Sequence, residues 1–129
     1  MSPVDRHHQH LQQLWAEEQW LLEQRRQRLV AAAALAARAL RQRWPVVRGV
    51  WLFGSARSPE AFRRHSDLDL AVEGLPEEAH LQAIGEVERV VDPALAAAGE
   101  SGIAIDVVRS EDLPPHWRER LREQALPLL

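Results

Sequence analysis

The chain has 129 residues and a formal net charge of −3, from 16 basic and 19 acidic residues. That length fits one domain with one core, and the balanced charge argues against coating nucleic acid by electrostatics, so no direct nucleic-acid binding is expected. All 16 basic residues are arginine and there is no cysteine. A phosphate-binding or Schiff-base lysine, a disulfide, a thiolate metal site and a cysteine nucleophile are therefore all excluded.

The opening "MSPVDRHHQH" is polar and no apolar run approaches the length of a membrane span, so the sequence reads as cytoplasmic, without a signal peptide or membrane contact. Within it, His7 and His10 share a helix face, but no carboxylate or cysteine is arranged around them, and a solvated helix entry is expected. From Leu11 to Trp44 there is neither Pro nor Gly. Apolar residues recur at Leu11, Leu14, Trp15, Leu21, Leu22, Leu29, Ala32, Ala33, Ala36 and Leu40, the spacing of one helix face. The alanine-rich "VAAAALAARAL" adds helix propensity, and Pro45 ends the helix. Such a helix outruns a small core. Part of its apolar face is expected either to cross its own domain or to contact another copy or a partner, and patterning does not choose between them. "RRQR" at 25–28, close to Glu17, Glu18 and Glu23, reads as a solvated, ion-paired face.

After Val46 the period changes. "VVRGVWLFG" reads as a buried strand with Trp51 in the core, and "SDLDLAVEG" as a second strand ending at Gly74. "LPEEAHLQAIGEVERVVDPALAAAGESG" reads as a helix with a break at Asp92-Pro93. "GIAIDVVRS" is a third strand, and "SEDLPPHWRERLREQA" a closing helix capped by Ser110 or Asp112. The order helix, strand, strand, helix, strand, helix is an α+β layout: a small mixed sheet with helices packed on it, plus a long N-terminal helix. The expected division is an N-terminal helical extension, 1–44, and a domain at 45–129.

The chemistry concentrates in three places. On a strand Asp67 and Asp69 point the same way, and two adjacent carboxylates repel unless a cation lies between them. Asp106, inside "IAIDVV", is a third carboxylate that is costly in an apolar strand without a partner. Hard oxygen ligands suit Mg²⁺, and three carboxylates on adjacent strands suit two metals roughly 3.5–4 Å apart, the spacing of phosphoryl and nucleotidyl transfer. Gly54 and Ser55, at the end of the first strand, suit the close approach of a phosphate, with Arg57 adding positive charge and Arg63 or Arg64 as further candidates. Taken singly, a Gly-Ser pair is an ordinary turn and an Asp-x-Asp an ordinary strand start. The ordered set is specific.

With "LFGS" at 52–55, "SDLDLAV" at 66–72 and "IDVVRSEDLPP" at 105–115, the sequence resembles the minimal nucleotidyltransferases (MNT family) of the DNA polymerase β-like nucleotidyltransferase superfamily. The resemblance covers about residues 46 to 129. It implies that Gly54, Ser55, Arg57 and Ser66 bind the nucleotide. It also implies that Asp67, Asp69 and Asp106 are catalytic and hold two Mg²⁺ ions, with ATP or another NTP as substrate. The loop departs from the family pattern: eleven residues rather than ten separate Ser55 from Asp67, and Ser58-Pro59 stands where a glycine is expected. The implied activity is transfer of an NMP, AMP in the first instance, to a hydroxyl acceptor. A chain this short has no acceptor domain, so the resemblance implies a helical HEPN-type partner, the toxin of a toxin–antitoxin module in which the minimal transferase is the antitoxin. The chain contains no tyrosine, so a modified tyrosine would lie on the partner. Two alternatives stay open: a catalytically silent antitoxin acting by binding alone, and a small-molecule transferase of the antibiotic-modifying kind.

Overall fold

The computed structural model describes residues 2–129. Helix α1 runs from Pro3 to Arg43, β1 from Gly49 to Phe53, β2 from Leu68 to Glu73 and α2 from His80 to Ala97. Strand β3 follows at Ile105–Arg109, α3 at Pro115–Gln124 and β4 at Leu126–Pro127. The four strands form one sheet in the order β3-β2-β1-β4. β1 pairs antiparallel with β2 and β4, while β2 and β3 run parallel through the α2 crossover, so the sheet is mixed as expected.

Alternation along the strands sorts the sheet into two unlike faces. Val50 and Leu52 of β1, Leu68, Leu70 and Val72 of β2, and Val107 of β3 are buried on one face. Against them pack Leu29, Ala32, Ala33, Ala36, Ala37 and Leu40 of α1 and Ala83, Val87, Val91 and Leu95 of α2. The second half of α1 is thus part of the single core, and its alanines let it lie close to α2. Glu86 of α2 joins the two helices, accepting from Arg43 at 3.3 Å and Arg89 at 2.5 Å. The first half of α1 is different: every residue from Pro3 to Leu21 is exposed. With 41 residues the helix is about 62 Å long, against a radius of gyration of about 14 Å for a compact chain of this size.

Several local expectations are corrected by the structure. α1 starts eight residues before Leu11, because Ser2 and Asp5 form a reciprocal capping box with Pro3 in the first turn. α2 passes through Pro93 without a break. Pro93 is exposed near the last turn, and Val91 and Leu95 on either side are buried, so packing outweighs one lost hydrogen bond. α3 has no side-chain cap; it begins at Pro114-Pro115, after a 3₁₀ turn at Ser110–Asp112 in which Asp112 pairs with Arg109 at 2.6 Å. "EQALPLL" ends in β4, a strand too short to show a period, which covers the open edge of β1. Trp51 is half-buried on the face opposite Leu52, under α3 rather than in the core. The "RRQR" arginines are ion-paired, chiefly with a residue distant in sequence. Arg25 and Arg28 both reach Glu100, at 3.1 and 2.7 Å, and Arg26 pairs with Glu23 at 2.8 Å.

Candidate active site

The second face of the sheet carries the aspartates of the candidate site. The strand register sets Phe53 of β1 opposite Asp69 of β2, and Asp69 beside Asp106 of β3. In-register neighbours project from the same face, so the two carboxylates stand side by side. Asp69 is half-buried and Asp106 exposed at the sheet edge. Burial, and then the negative charges of Asp106 and Asp67, raise the Asp69 pKa above the ordinary carboxyl value. The sheet therefore gathers negative charge at one spot, and among the described residues no salt bridge reaches Asp67, Asp69 or Asp106.

Asp67 sits one residue before β2, and its Oδ1 accepts the backbone N–H of Ala104 at 3.1 Å. That bond ties the start of β2 to the approach to β3. Among the described residues, no three His, Cys, Asp or Glu side chains are gathered into a ready-made metal cage. The structure brings Asp69 and Asp106 together; Asp67 contributes charge from beside them.

β1 ends at Gly54 with φ of 72°, in the left-handed region that favours glycine, and a Cβ at this position would collide with Asp69 Oδ2. Gly54 thus performs two tasks: it turns the chain and leaves room at the Asp69 carboxylate. The donor set here, hard carboxylate oxygens on adjacent strands with the space beside Asp69 left open by Gly54, fits a divalent cation. Ser55 opens a 3₁₀ turn, and its hydroxyl donates to Ser66 Oγ at 2.6 Å. Ser66 Oγ also accepts the Arg63 N–H at 2.8 Å. Ser66 is buried behind the turn, so it reaches a ligand only through Ser55, and it pins the long loop between β1 and β2. Arg57 donates to the Gly54 carbonyl at 2.7 Å, which holds its guanidinium across the turn. The Arg63 guanidinium is engaged with the Glu60 and Phe62 carbonyls, and Arg64 is exposed.

Beside Gly54 lies a cleft of about 240 Å³ lined by Phe53, Gly54, Arg57, Trp117, Arg120 and Gln124, among others. Its far wall is α3, where the Arg120 guanidinium sits 4.9 Å from the Trp117 ring centre. Sequence reasoning did not single out Trp117 and Arg120 as lining this cleft. Their spacing of three on a helix was a signal, but only the folding of α3 onto the β1 side of the sheet shows that they face Gly54 and Arg57.

Comparison with known proteins gives a family and a fold. The family model described as "Nucleotidyltransferase domain" matches residues 34–111, from within α1 to the 3₁₀ turn after β3. Among solved structures, a toxin–antitoxin MntA-HpeT carrying two Asp-to-Glu mutations is 19% identical, with a TM-score of 0.52 over 71% of this chain and 67% of that one. A toxin–antitoxin with AMP-PNP is 21% identical, with a TM-score of 0.52 over 71% and 68% of the two chains. An MntA-HpeT mutant with one Tyr-to-Ala change gives 21%, 0.52, 71% and 67%. At these identities the likeness is one of fold. No curated protein matches the chain by sequence. The family match spans more than half of the chain and contains the Gly54 turn, Asp67, Asp69 and Asp106, and on that ground the chain belongs to the nucleotidyltransferase domain family.

Proposed function

We propose that the chain is a Mg²⁺-dependent nucleotidyltransferase that moves AMP from ATP to a hydroxyl on a HEPN-type protein partner, as the antitoxin of a toxin–antitoxin module. The observation that carries this reading is the Asp69–Asp106 pair beside the Gly54 turn, inside the nucleotidyltransferase match. Likeness of fold to toxin–antitoxin structures, one of them with AMP-PNP, supports the partner and the nucleotide.

In this reading Gly54, Ser55 and Arg57 hold the triphosphate, with Arg120 across the cleft adding a second positive charge and Trp117 an aromatic surface. Asp69 and Asp106 would hold Mg²⁺, with Asp67 beside them, and the ion when bound supplies neutralisation of charge on the transferring phosphoryl group. Asp106, exposed at the sheet edge, is placed to take the proton of an incoming hydroxyl. The acceptor oxygen forms a bond to the α-phosphorus, the bond from that phosphorus to the bridging oxygen breaks, and pyrophosphate leaves. Because the protein has no tyrosine, a tyrosyl acceptor lies on the partner.

The test is transfer of α-labelled AMP from ATP onto the co-expressed partner, with Asp67→Asn/Asp69→Asn beside the wild type. These substitutions keep volume and remove charge. Transfer should fall by about 10³-fold or more, on the scale of other transition-state electrostatic contacts, while pull-down of the partner is unchanged. The engagement of Asp67 by Ala104 favours a second reading, an antitoxin acting by binding alone. Wild-type protein that transfers nothing, and whose neutralisation of the partner survives the double substitution, would establish that reading instead.

A further inference from the structure

The apolar stripe of α1 does not stop where the core stops. At 100° per residue, Val4, Leu11, Leu14, Trp15 and Leu21 lie on the same side of the helix as the buried Leu29, Ala33, Ala36 and Leu40. Arg25 and Arg28, clamped to Glu100, mark the edge of the core on that side. Beyond them Val4 is 76% exposed, Trp15 65% and Leu21 60%, along about 28 Å of helix from Pro3 to Leu21. These side chains share one side of the protruding segment, interrupted there by His7 and Glu18.

The spacing of that surface identifies its occupant. Positions 4, 7, 11, 14, 18 and 21 follow the alternating three-and-four steps of a coiled-coil seam: Val4, His7, Leu11, Leu14, Glu18 and Leu21. Read against a second copy running the opposite way, with the two-fold axis between residues 12 and 13, Val4 meets Leu21 of the second copy. In the same register Leu11 meets Leu14 of the second copy, and His7 meets Glu18 of the second copy. Of the positions flanking the seam, His10 faces Glu17 of the second copy. Apolar thus meets apolar and basic meets acidic in every seam layer. Parallel pairing instead stacks His7 on His7 and Glu18 on Glu18. The antiparallel overlap also uses the whole exposed segment, because residue 4 lies opposite residue 21, the last exposed residue before the helix enters its own domain.

We infer that the protruding half of α1 is a self-complementary surface that pairs antiparallel with a second copy of this chain, leaving the two Asp69–Asp106 sites on bodies at opposite ends of a shared helical bridge. The inference stands apart from the transfer chemistry and holds whether or not the site is active.

The absence of native cysteine makes the register directly testable. Val4→Cys and Leu21→Cys chains, mixed and oxidised, should form a heterodimeric cross-link, and neither should cross-link with itself, since in this register residue 4 of one copy lies about 25 Å from residue 4 of the other. Light scattering should find wild type a dimer at micromolar concentration. Leu11→Asp/Leu14→Asp should be a monomer that melts at the same temperature as wild type diluted until it too is monomeric, because both residues lie outside the core. His7→Glu should weaken the dimer about tenfold or more, and His7→Glu/Glu18→Arg should restore it. Self-cross-linking of Val4→Cys would overturn the inference in favour of parallel pairing. A wild-type monomer whose binding to the HEPN-type partner is lost in Leu11→Asp/Leu14→Asp would overturn it in favour of a partner seat.

Discussion

The two faces of the four-stranded sheet are built from the same strands, one residue out of phase, and they meet opposite fates. One face is Val50, Leu52, Leu68, Leu70, Val72 and Val107 under two helices. The other is Phe53, Asp69 and Asp106 beside a glycine turn, with the short α3 across the β1 side and only Leu121 of that helix buried. A single Leu-Asp-Leu in β2 serves both, since Leu68 and Leu70 anchor the strand whose intervening carboxylate is pushed toward its neighbours. The apolar face supplies the stability that lets the other face hold mutually repelling charges. A functional site of this kind is a local cost carried by packing elsewhere.

Substitutions that act on one face alone sharpen this division. The largest effect on stability is expected from Leu52→Ala, a fully buried position on β1 paired with Leu70 of β2 and Leu126 of β4, which should lose about 3 kcal/mol in chemical denaturation. Next comes Gly54→Ala, where a left-handed backbone and the collision with Asp69 combine. A loss of about 2 kcal/mol is expected. Because the added methyl displaces the Asp69 carboxylate, the transfer proposed above should fall further than stability does. If Gly54→Ala unfolds the protein no more readily than wild type and transfers at the same rate, the two faces are not coupled at this turn.

The smallest effect has the opposite sign. The Asp69 carboxyl binds its proton more tightly folded than unfolded, because burial and the charges of Asp106 and Asp67 disfavour ionisation. Its contribution to stability is present below the ordinary carboxyl pKa and is lost as pH rises through the raised value. Asp69→Asn removes that loss, so at neutral pH and without added Mg²⁺ it should be slightly more stable than wild type, while the transfer proposed above collapses. Thermal melts of both proteins across the carboxyl range, converging at low pH, are the measurement. A variant less stable than wild type at neutral pH would mean that Asp69 is held by an interaction other than repulsion.

Much of this was legible in the chain. The change of hydrophobic period after Trp44, the short apolar run ending in Gly54-Ser55 and the alternation through "SDLDLAV" fix the main elements, because strand and helix periods are local properties of the sequence. The motif order also anticipated one piece of geometry: Asp69 and Asp106 lie on one face of adjacent strands. What escaped were features decided at a distance. β4 is a two-residue strand that exists only because β1 offers it an edge. The continuity of α2 through Pro93 depends on Val91 and Leu95 being buried against other elements. Asp67 cannot be known to accept from Ala104 until the chain entering β3 is laid beside β2.

By itself the sequence determined which residues alternate, which carry charge, and that a glycine and three aspartates follow one another in a nucleotidyltransferase order, since composition and period are written along one dimension. Tertiary structure decided which carboxylates adjoin, that Trp117 and Arg120 face the Gly54 turn, and where α1 leaves its core. Those depend on register, on the packing of α3, and on how much apolar helix two small layers can cover, and each requires segments far apart in the chain to be brought together in space.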